Sequence, residues 1–587
     1  MIDPSPIILH KEASARMRSG YYSIIIILVS FAVYSNTLYN GFVFDDIPNV
    51  LENRWIKDIQ YIQDIFSTHL AGFNKGYPTS YYRPVIHLIY MFNYHIFGLA
   101  PWGFHLINIL LHAAVSVVVF LIASRIFNAN QKAPLFLSIP FLVALLFATH
   151  PIHTEAVSWV AGVMDISFTF FYLISFYLYI ITDDERSFKG AIPLSVSMFF
   201  LSALCKEPAL TLPLLLVVYD CFFRKKETSV IVYIKRYVPY IFVSAVYLLM
   251  RIASIKGIAP SKNFQELSIY QYVINVFPFF IDYLEKLVLP LGLSAVHPFL
   301  PVSSILEPKC LLSFLLTIVI GILAYRIRKR KTVLFGLSLI LIPLLPAFYI
   351  PGIAGEGAFA ERYLYLPSVG FVLLLGYLYG CGLKKVGTQA TLLAIVPIAL
   401  IMIYSIGTVE RNKVWRDSYS LWSDTAKKSP QSAVAHEYFG YALYSQGRLD
   451  EAIEQYKIAL SLNPQRVDSH INLGVAYAMK GRTDQAIEQY KAGLTLRPGS
   501  AEGHVNLGLA LIDKGHIEEA IRECVSAQNV NPYLAGAHNC LGIAYAAKRL
   551  IDRSIYHFRE AVRLDPLDIN YRSNLEKAAE LSRNKKQ

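Results

Sequence analysis

Over roughly its first 400 residues the chain alternates long apolar runs with short polar loops, and only beyond them does it turn amphipathic. Ser23 to Val33, Leu106 to Ala123, Ala191 to Leu204, Leu311 to Ala324 and Thr391 to Ile406 contain no Asp, Glu, Lys or Arg. A helix needs about 20 apolar residues to cross a hydrocarbon core, where every backbone polar group must be paired internally. The pattern predicts eleven spans, near 21–40, 103–127, 135–149, 160–181, 190–205, 208–223, 237–254, 310–325, 332–350, 364–382 and 389–407. Ile269 to Leu289 is apolar too, but Lys256, Lys262 and the Pro290 to Pro308 stretch around it fit a helix on the membrane surface or re-entering it. The first run lacks a small-residue cleavage site and leads straight into Asn36 to Asn40, so it reads as a retained span.

Beyond the last span the pattern acquires a period. Pro430, Pro464, Pro498, Pro532 and Pro566 stand 34 residues apart, the length of a tetratricopeptide (TPR) unit of two antiparallel helices. Gly440, Gly474, Gly508 and Gly542 allow close crossing, while Gly447, Gly481 and Gly515 mark the turn between helices and Arg549 interrupts that series. The fold class is therefore all-α, a polytopic membrane domain followed by a TPR α-solenoid. The predicted division is 1–408 membrane domain, 409–432 linker and pre-repeat helix, 433–568 four repeats, and 569–587 a capping helix and polar tail. Cys524 and Cys540 lie in adjacent repeat helices; a bridge is conceivable, but Cys524 holds the slot of Tyr456, Tyr490 and Phe558, which favours a buried small hydrophobe.

Composition agrees with a membrane protein: 587 residues, 55% apolar, 16% charged, mean hydropathy +0.41. The net charge of +12 does not imply nucleic acid, because the cations gather beside the spans and report orientation. Taking Lys11-Arg16-Arg18, Arg125 with Lys132, Arg224 to Lys226 with Lys235-Arg236, Arg326 to Lys331 and Lys384-Lys385 as internal puts the N-terminus inside and the repeats outside. A bacterial inner membrane with periplasmic repeats is the expectation, an endoplasmic reticulum membrane with lumenal repeats the alternative.

Candidate chemistry lies where polar groups interrupt the apolar pattern on the external side. Asp45-Asp46 in GFVFDDIPNV could deprotonate a hydroxyl or hold a divalent cation, and a solvated turn explains the pair as well. HPIHTEAVSWVAGVMD carries His150, His153, Glu155 and Asp165 at an external mouth; the two-residue spacing of His153 and Glu155 is not that of a helical zinc pair. Lys206-Glu207 follows Cys205, GEGAFAERYLYLP carries Glu356, Glu361 and Arg362, and Arg83 stands in YYRPVIH. Cations beside carboxylates suit a phosphate-linked substrate, one binding the leaving phosphate while the other handles the acceptor hydroxyl. No metal-ligand cluster and no Gly-rich phosphate loop appear, so no cofactor is required. In the repeats, Asn472 and Asn506 share a slot one repeat apart, suited either to the backbone of an extended peptide or to simple accommodation on the helix face. His436, His470, His504 and His538 recur at the position where TPR units pack a large side chain, and packing is the reading adopted over a metal or pH switch.

The order GFVFDDIPNVLEN, YRPVIHLIYMFNY, PWGFHLINILLHA, HPIHTEAVSWVAG, KEPALTL, ERYLYLP and WRDSYSLW, followed by TPR units, resembles the transmembrane-and-tetratricopeptide O-mannosyltransferase family and its bacterial relatives over nearly the whole chain. The resemblance implies a C-type glycosyltransferase that takes a sugar, mannose by likeness, from a polyprenyl-phosphate donor and passes it to Ser or Thr hydroxyls of acceptor proteins on the external side. It implies Asp45-Asp46 as the catalytic element, and a donor-binding role for Arg83, Lys206, Glu207, Glu361 and Arg362. Where relatives often show Gly-Arg before Ala-Asp, this chain has Gly162-Val163-Met164-Asp165, which leaves phosphate contacts to Arg83, Lys206 or Arg362. Two other classes stay open: a membrane-anchored TPR scaffold without catalysis, and a lipid-linked sugar transporter, which would carry ionisable groups near mid-bilayer in two matching halves.

Overall fold

The structure, a computed structural model, describes residues 6–73, 81–127, 137–183, 190–224, 230–255, 267–348, 359–386 and 390–584. Lys132, Lys225, Lys226, Lys256, Lys262 and Glu356 lie outside the described residues, as do the side chains of Lys11, Arg16 and Arg18. Among the described residues the fold is helical and without strands, with one isolated bridge between His297 and Phe359. Contacts divide the chain into Met1–Asp424 and Thr425–Gln587.

The first unit opens with α1 (Pro6–Tyr34), α2 (Ile62–Ser67), α3 (Pro84–Phe97), α4 (Pro101–Ile126), α5 (Ile139–Thr149) and α6 (Thr154–Ser158). Next come α7 (Val163–Ile180), α8 (Ala191–Cys205), α9 (Leu212–Phe223), α10 (Val230–Ile255), α11 (Ile269–Val288) and α12 (Pro308–Arg326). It ends with α13 (Lys331–Leu344), α14 (Pro367–Val386), α15 (Ala390–Leu393) and α16 (Ile395–Asn412), after which α17 (Ser418–Lys428) crosses the division. Proline occupies the first helical position of α3, α4 and α12, where a missing N–H costs nothing and the fixed φ starts the turn.

Among the described residues eight helices are long and apolar enough to span a membrane, and α5 with the Pro151–Ser158 segment forms a ninth candidate bent by 47°. The chain is a multi-pass membrane protein. Three of the eleven predicted spans are shorter than a full crossing although each ends where predicted: α5 has 11 residues, α8 has 15 and α9 has 12. Proline ends α5 and α8, since His150 precedes Pro151 and Glu207 precedes Pro208, and the backbone of His150 and Lys206 is extended at the helix ends. At 1.5 Å per residue α8 rises only about 22 Å, against a hydrocarbon thickness of about 30 Å. Helix α11 is amphipathic, opens with a Ser268–Gln271 capping box, buries Ile274, Phe279, Tyr283 and Leu287, and exposes Ile269, Tyr270 and Val273.

Of residues 409–432, expected as linker and pre-repeat helix, the helix is α17, and 409–424 belong to the first unit. Trp415 and Trp422 are buried there, Trp159 stacks on Trp415 at 6.0 Å, and Trp422 meets Phe44 edge-on at 5.2 Å.

The second unit is the repeat array: α18 (Ala433–Ser445) with α19 (Leu449–Leu462), α20 (Val467–Met479) with α21 (Thr483–Leu496), α22 (Ala501–Asp513) with α23 (Ile517–Val530), and α24 (Ala535–Ala547) with α25 (Ile551–Leu564), closed by α26 (Ile569–Asn584). Gly447, Gly481 and Gly515 take positive φ of 74°, 71° and 78°, and Arg549 adopts the same turn at 61°. Gly440, Gly474 and Gly542 face Tyr456, Tyr490 and Phe558 so closely that an added Cβ would stand 2.8, 2.5 and 2.5 Å from the ring. In the third repeat Cys524 replaces the aromatic residue and is bonded to Cys540, so the buried-hydrophobe reading of these cysteines is corrected to a disulfide. The two sulfurs fill the space beside Gly508, where an added Cβ would lie 2.7 and 2.8 Å from them.

Candidate active site

The loop after α1 supplies the first group. Phe44 has φ of +52°, a conformation costly for a bulky side chain, and is held there by stacking on Trp159 at 5.8 Å. The turn separates the two aspartates. Asp46 is fully buried and structural: one carboxylate oxygen accepts from Val43 N at 3.0 Å, the other from Ala161 N at 2.8 Å. Burial pushes its pKa well up in spite of these N–H donors. Asp45 is half-buried and has no side-chain hydrogen-bond partner among the described residues. Burial raises its pKa as well, and the nearby Arg362 opposes that rise. The paired-aspartate cation site expected from sequence thus meets one committed carboxylate and one free one, and no group of three His, Cys, Asp or Glu side chains placed to hold a metal occurs among the described residues.

Around Asp45 the other interruptions of the apolar pattern converge. Arg83, before α3, donates from Nη2 to Glu207 Oε2 at 2.8 Å and from Nε at 3.3 Å. Lys206, after α8, pairs with Asp165 in the first turn of α7. Burial lowers the Lys206 pKa to about 8 against the pull of Asp165. Arg362 pairs with Glu155 of α6 through its guanidinium, and through its backbone N–H at 2.8 Å. Tyr363 lies between the cations, its ring 4.8 Å from Lys206 Nζ and 5.2 Å from the Arg362 guanidinium, which also covers Trp159 at 5.4 Å. Three cations therefore take three carboxylates, and Asp45 is the acid left over.

Three expected members belong elsewhere. His150 and His153 are fully buried rather than at a mouth: His150 Nδ1 accepts from Ile152 N at 3.2 Å and its Nε2 meets Leu287 O at 3.1 Å, while His153 Nε2 meets Ser368 Oγ at 2.8 Å. The proline that ends α5 turns both rings back into an aromatic core with Phe147, Tyr365 and Tyr404. Glu361, next to Arg362 in sequence, faces the other way and ties down the loop after α11, accepting from Ser294 N at 2.6 Å and pairing with His297 Nε2 at 2.8 Å. Sequence reasoning missed Tyr363, Trp159 and Phe44, although all three stood inside quoted motifs; aromatic side chains in an apolar chain carried no signal of their own.

In the array, the first helices of successive repeats pack on one another more closely than the second helices do. Asn472 and Asn506 sit there half-buried with no side-chain hydrogen bond to a described residue. The recurring histidines are hydrogen-bonding bridges more than packing groups. Nε2 of His436, His470 and His504 meets the carbonyl of Pro430, Pro464 and Pro498 at 3.2, 3.0 and 2.8 Å, and Nδ1 meets Gln455, Gln489 and Glu523 in turn.

Comparison with known proteins locates the same two parts. A family model described as TPR repeat matches residues 440–481 and 476–515. Human protein O-mannosyl-transferase TMTC3 is 27% identical over 480 residues, covering 74% of this chain and 50% of that protein. The Caenorhabditis elegans protein O-mannosyl-transferase F38B6.6 is 27% identical over 446 residues, covering 75% of this chain and 62% of that one. The chain thus spans about half the length of the first of the curated relatives it matches. A thermophilic TPR protein of Thermus thermophilus is 19% identical with a TM-score of 0.25, covering 30% of this chain and 94% of that structure. The curated homologues of the chain are the TMTC-family protein O-mannosyl-transferases.

Proposed function

We propose that, like the relatives named protein O-mannosyl-transferases, this chain is an integral-membrane glycosyltransferase that moves a sugar, mannose by kinship, from a polyprenyl-phosphate donor to Ser or Thr hydroxyls of proteins. The observation that carries the reading is the unpaired Asp45 carboxylate beside three neutralised cations. Its raised pKa, from burial, suits a base that must collect a proton from a neutral hydroxyl.

In the reaction Asp45 takes the hydroxyl proton as the acceptor oxygen attacks the anomeric carbon. The bond from that carbon to the phosphate oxygen breaks in the same step, and prenyl phosphate leaves with the electron pair. Lys206 and Arg362 flank Tyr363 and meet the charge growing on the phosphate; Glu155 and Asp165 hold them in place without a rearrangement at the moment of transfer. The short α8, ending below a full membrane crossing, suits a donor whose reacting phosphate stays near the headgroups while its lipid remains in the bilayer. Asn472 and Asn506 suit acceptor segments in extended conformation, sequence-tolerant because side-chain amides read backbone. The Cys524–Cys540 bond supports repeats in an oxidising compartment, a periplasm or a reticulum lumen.

The test is transfer of labelled mannose from polyprenyl-phosphate-mannose to a Ser/Thr peptide by the purified chain. Wild type transfers label, and Asp45→Asn loses roughly 10²–10⁴-fold at unchanged expression. Full transfer by Asp45→Asn would remove the proposed base, whereas no transfer by wild type would leave the scaffold reading ahead.

A further inference from the structure

Among the described residues, the Arg83–Glu207 pair, with Arg251 in electrostatic reach of Glu207, is surrounded by polar atoms that have no hydrogen-bond partner. Glu207 spends Oε2 on Arg83, while its Oε1 is buried without a hydrogen-bond partner. The hydroxyl of Tyr247, on α10, is buried and unpartnered within electrostatic reach of both Glu207 and Arg83. The hydroxyl of Tyr90, on α3, is likewise buried and unpartnered, within reach of Arg83 and Asp45. Among the described residues Arg83 Nη1 finds only the thioether of Met164 at 3.2 Å, a weak acceptor for a guanidinium. Buried polar groups in folded proteins are nearly always paired, so unpaired ones gathered from three separate elements around one ion pair call for a missing partner.

The chemistry of the atoms selects that partner. A phosphate offers acceptors only and would be repelled by the free Glu207 oxygen. A divalent cation would face the Arg83 guanidinium across the carboxylate it needs. A hydroxyl-rich neutral ligand satisfies all of them, because each sugar hydroxyl both donates, to Glu207 Oε1, and accepts, from Arg83 Nη1 or a tyrosine. The Tyr81 ring, half-exposed with the Arg83 guanidinium 4.3 Å from its centre, adds an aromatic face beside the pair. We infer that Arg83, Glu207, Tyr247 and Tyr90 form a subsite for the hydroxyls of the donor hexose, separate from Lys206 and Arg362, which take the phosphate. This inference rests on the transferase reading above and moves Arg83 and Glu207 from phosphate binding to sugar recognition.

The test measures binding to the purified full chain by displacement of a fluorescent prenyl phosphate, with three probes: polyprenyl phosphate, polyprenyl-phosphate-mannose and polyprenyl-phosphate-glucose. Wild type binds at least one hexose-bearing lipid more tightly than the bare phosphate. Tyr247→Phe weakens that hexose-bearing probe about fivefold and Glu207→Gln roughly 10- to 100-fold, while bare polyprenyl phosphate binds within about twofold of wild type. Equal losses on the bare phosphate would make this an anion site and overturn the inference, as would losses on no probe or a wild type indifferent to the hexose. Should Glu207→Gln fail to fold, Tyr247→Phe, which removes one unpartnered hydroxyl, carries the decision. The transferase reading fails separately: if the hexose preference and its loss in the variants are found but wild type transfers nothing to peptide, the subsite stands and catalysis does not.

Discussion

The two adjacent aspartates illustrate how far apart neighbouring residues can be in role. The Asp46 carboxylate binds two backbone N–H groups, one of them from Ala161 across the fold, whereas the Asp45 carboxylate binds none among the described residues. An amide at Asp46 can accept one of those N–H bonds but turns its own NH₂ against the other, so Asp46→Asn should destabilise the chain by about 1–3 kcal/mol. Thermal unfolding in detergent should show that loss for Asp46→Asn and almost none for Asp45→Asn. Activity should show the reverse ordering per folded molecule; a stable, inactive Asp46→Asn would exchange the two roles. Because burial holds the Asp45 pKa above the usual carboxylate value, and the base works only when ionised, transfer should fall away on acidification at a pH higher than an exposed aspartate would give. The polar residues of this site were legible in the sequence as interruptions of an apolar pattern. Their partnerships were not, since Asp165 meets Lys206 across 41 residues, Arg83 meets Glu207 across 124 and Glu155 meets Arg362 across 207. Distances of that kind carry no local signal, and this is why Glu361 was grouped with its neighbour Arg362 although it faces away.

Among the elements, the repeats were readable almost to the residue because each is fixed by local contacts that recur every 34 positions. The membrane helices were readable as apolar runs, and α5 and α8 end at 149 and 205 where the pattern put them; it placed the starts of α5 and α9 four residues early, at 135 and 208. The last repeat carries a departure with a measurable consequence. At the position of Gln455, Gln489 and Glu523 it has His557, whose Nδ1 stands 3.3 Å from His538 Nδ1, beside Tyr545 and Tyr556 and with Glu560 and Arg563 nearby. Burial, then the neighbouring His538, lowers the His557 pKa from 6.5 to about 4. Between those values the unfolded chain binds the proton and the folded repeat does not, so stability is full above pH 6.5 and is lost as pH falls toward 4. Hydrogen exchange of 535–564 in the full chain should accelerate over that interval. His557→Gln restores the side chain of the first two repeats, gives His538 an amide partner, and should flatten the pH dependence. Unchanged acid lability in that variant would place the titrating group elsewhere.

At the scale of the whole molecule, two features of unlike origin bear together on which side of the membrane each part faces. In the orientation we propose, the cation clusters at Arg224 and at Arg326 to Lys331 stay inside and the C-terminal unit faces outward, since Lys and Arg are retained in cytoplasmic loops. The Cys524–Cys540 bond needs the same outcome for a separate reason, because reducing cytosolic conditions would keep both cysteines as thiols. Closing a loop of this length, 16 positions apart, contributes about 3 kcal/mol to holding α23 and α24 together. In intact cells, therefore, a maleimide mass tag should label Cys524 and Cys540 only after reduction, and Cys524→Ser should open the junction of the third and fourth repeats to protease. A reporter fused after Gln587 should behave as external and one fused at Arg330 as cytoplasmic. Free thiols at both positions in unreduced cells, with a cytoplasmic C-terminal reporter, would reverse the orientation, and the proposed acceptor surface of the array would then lie where no secreted acceptor passes. Free thiols with an external reporter would leave the topology standing and remove only the disulfide, which is why the two measurements belong in one experiment.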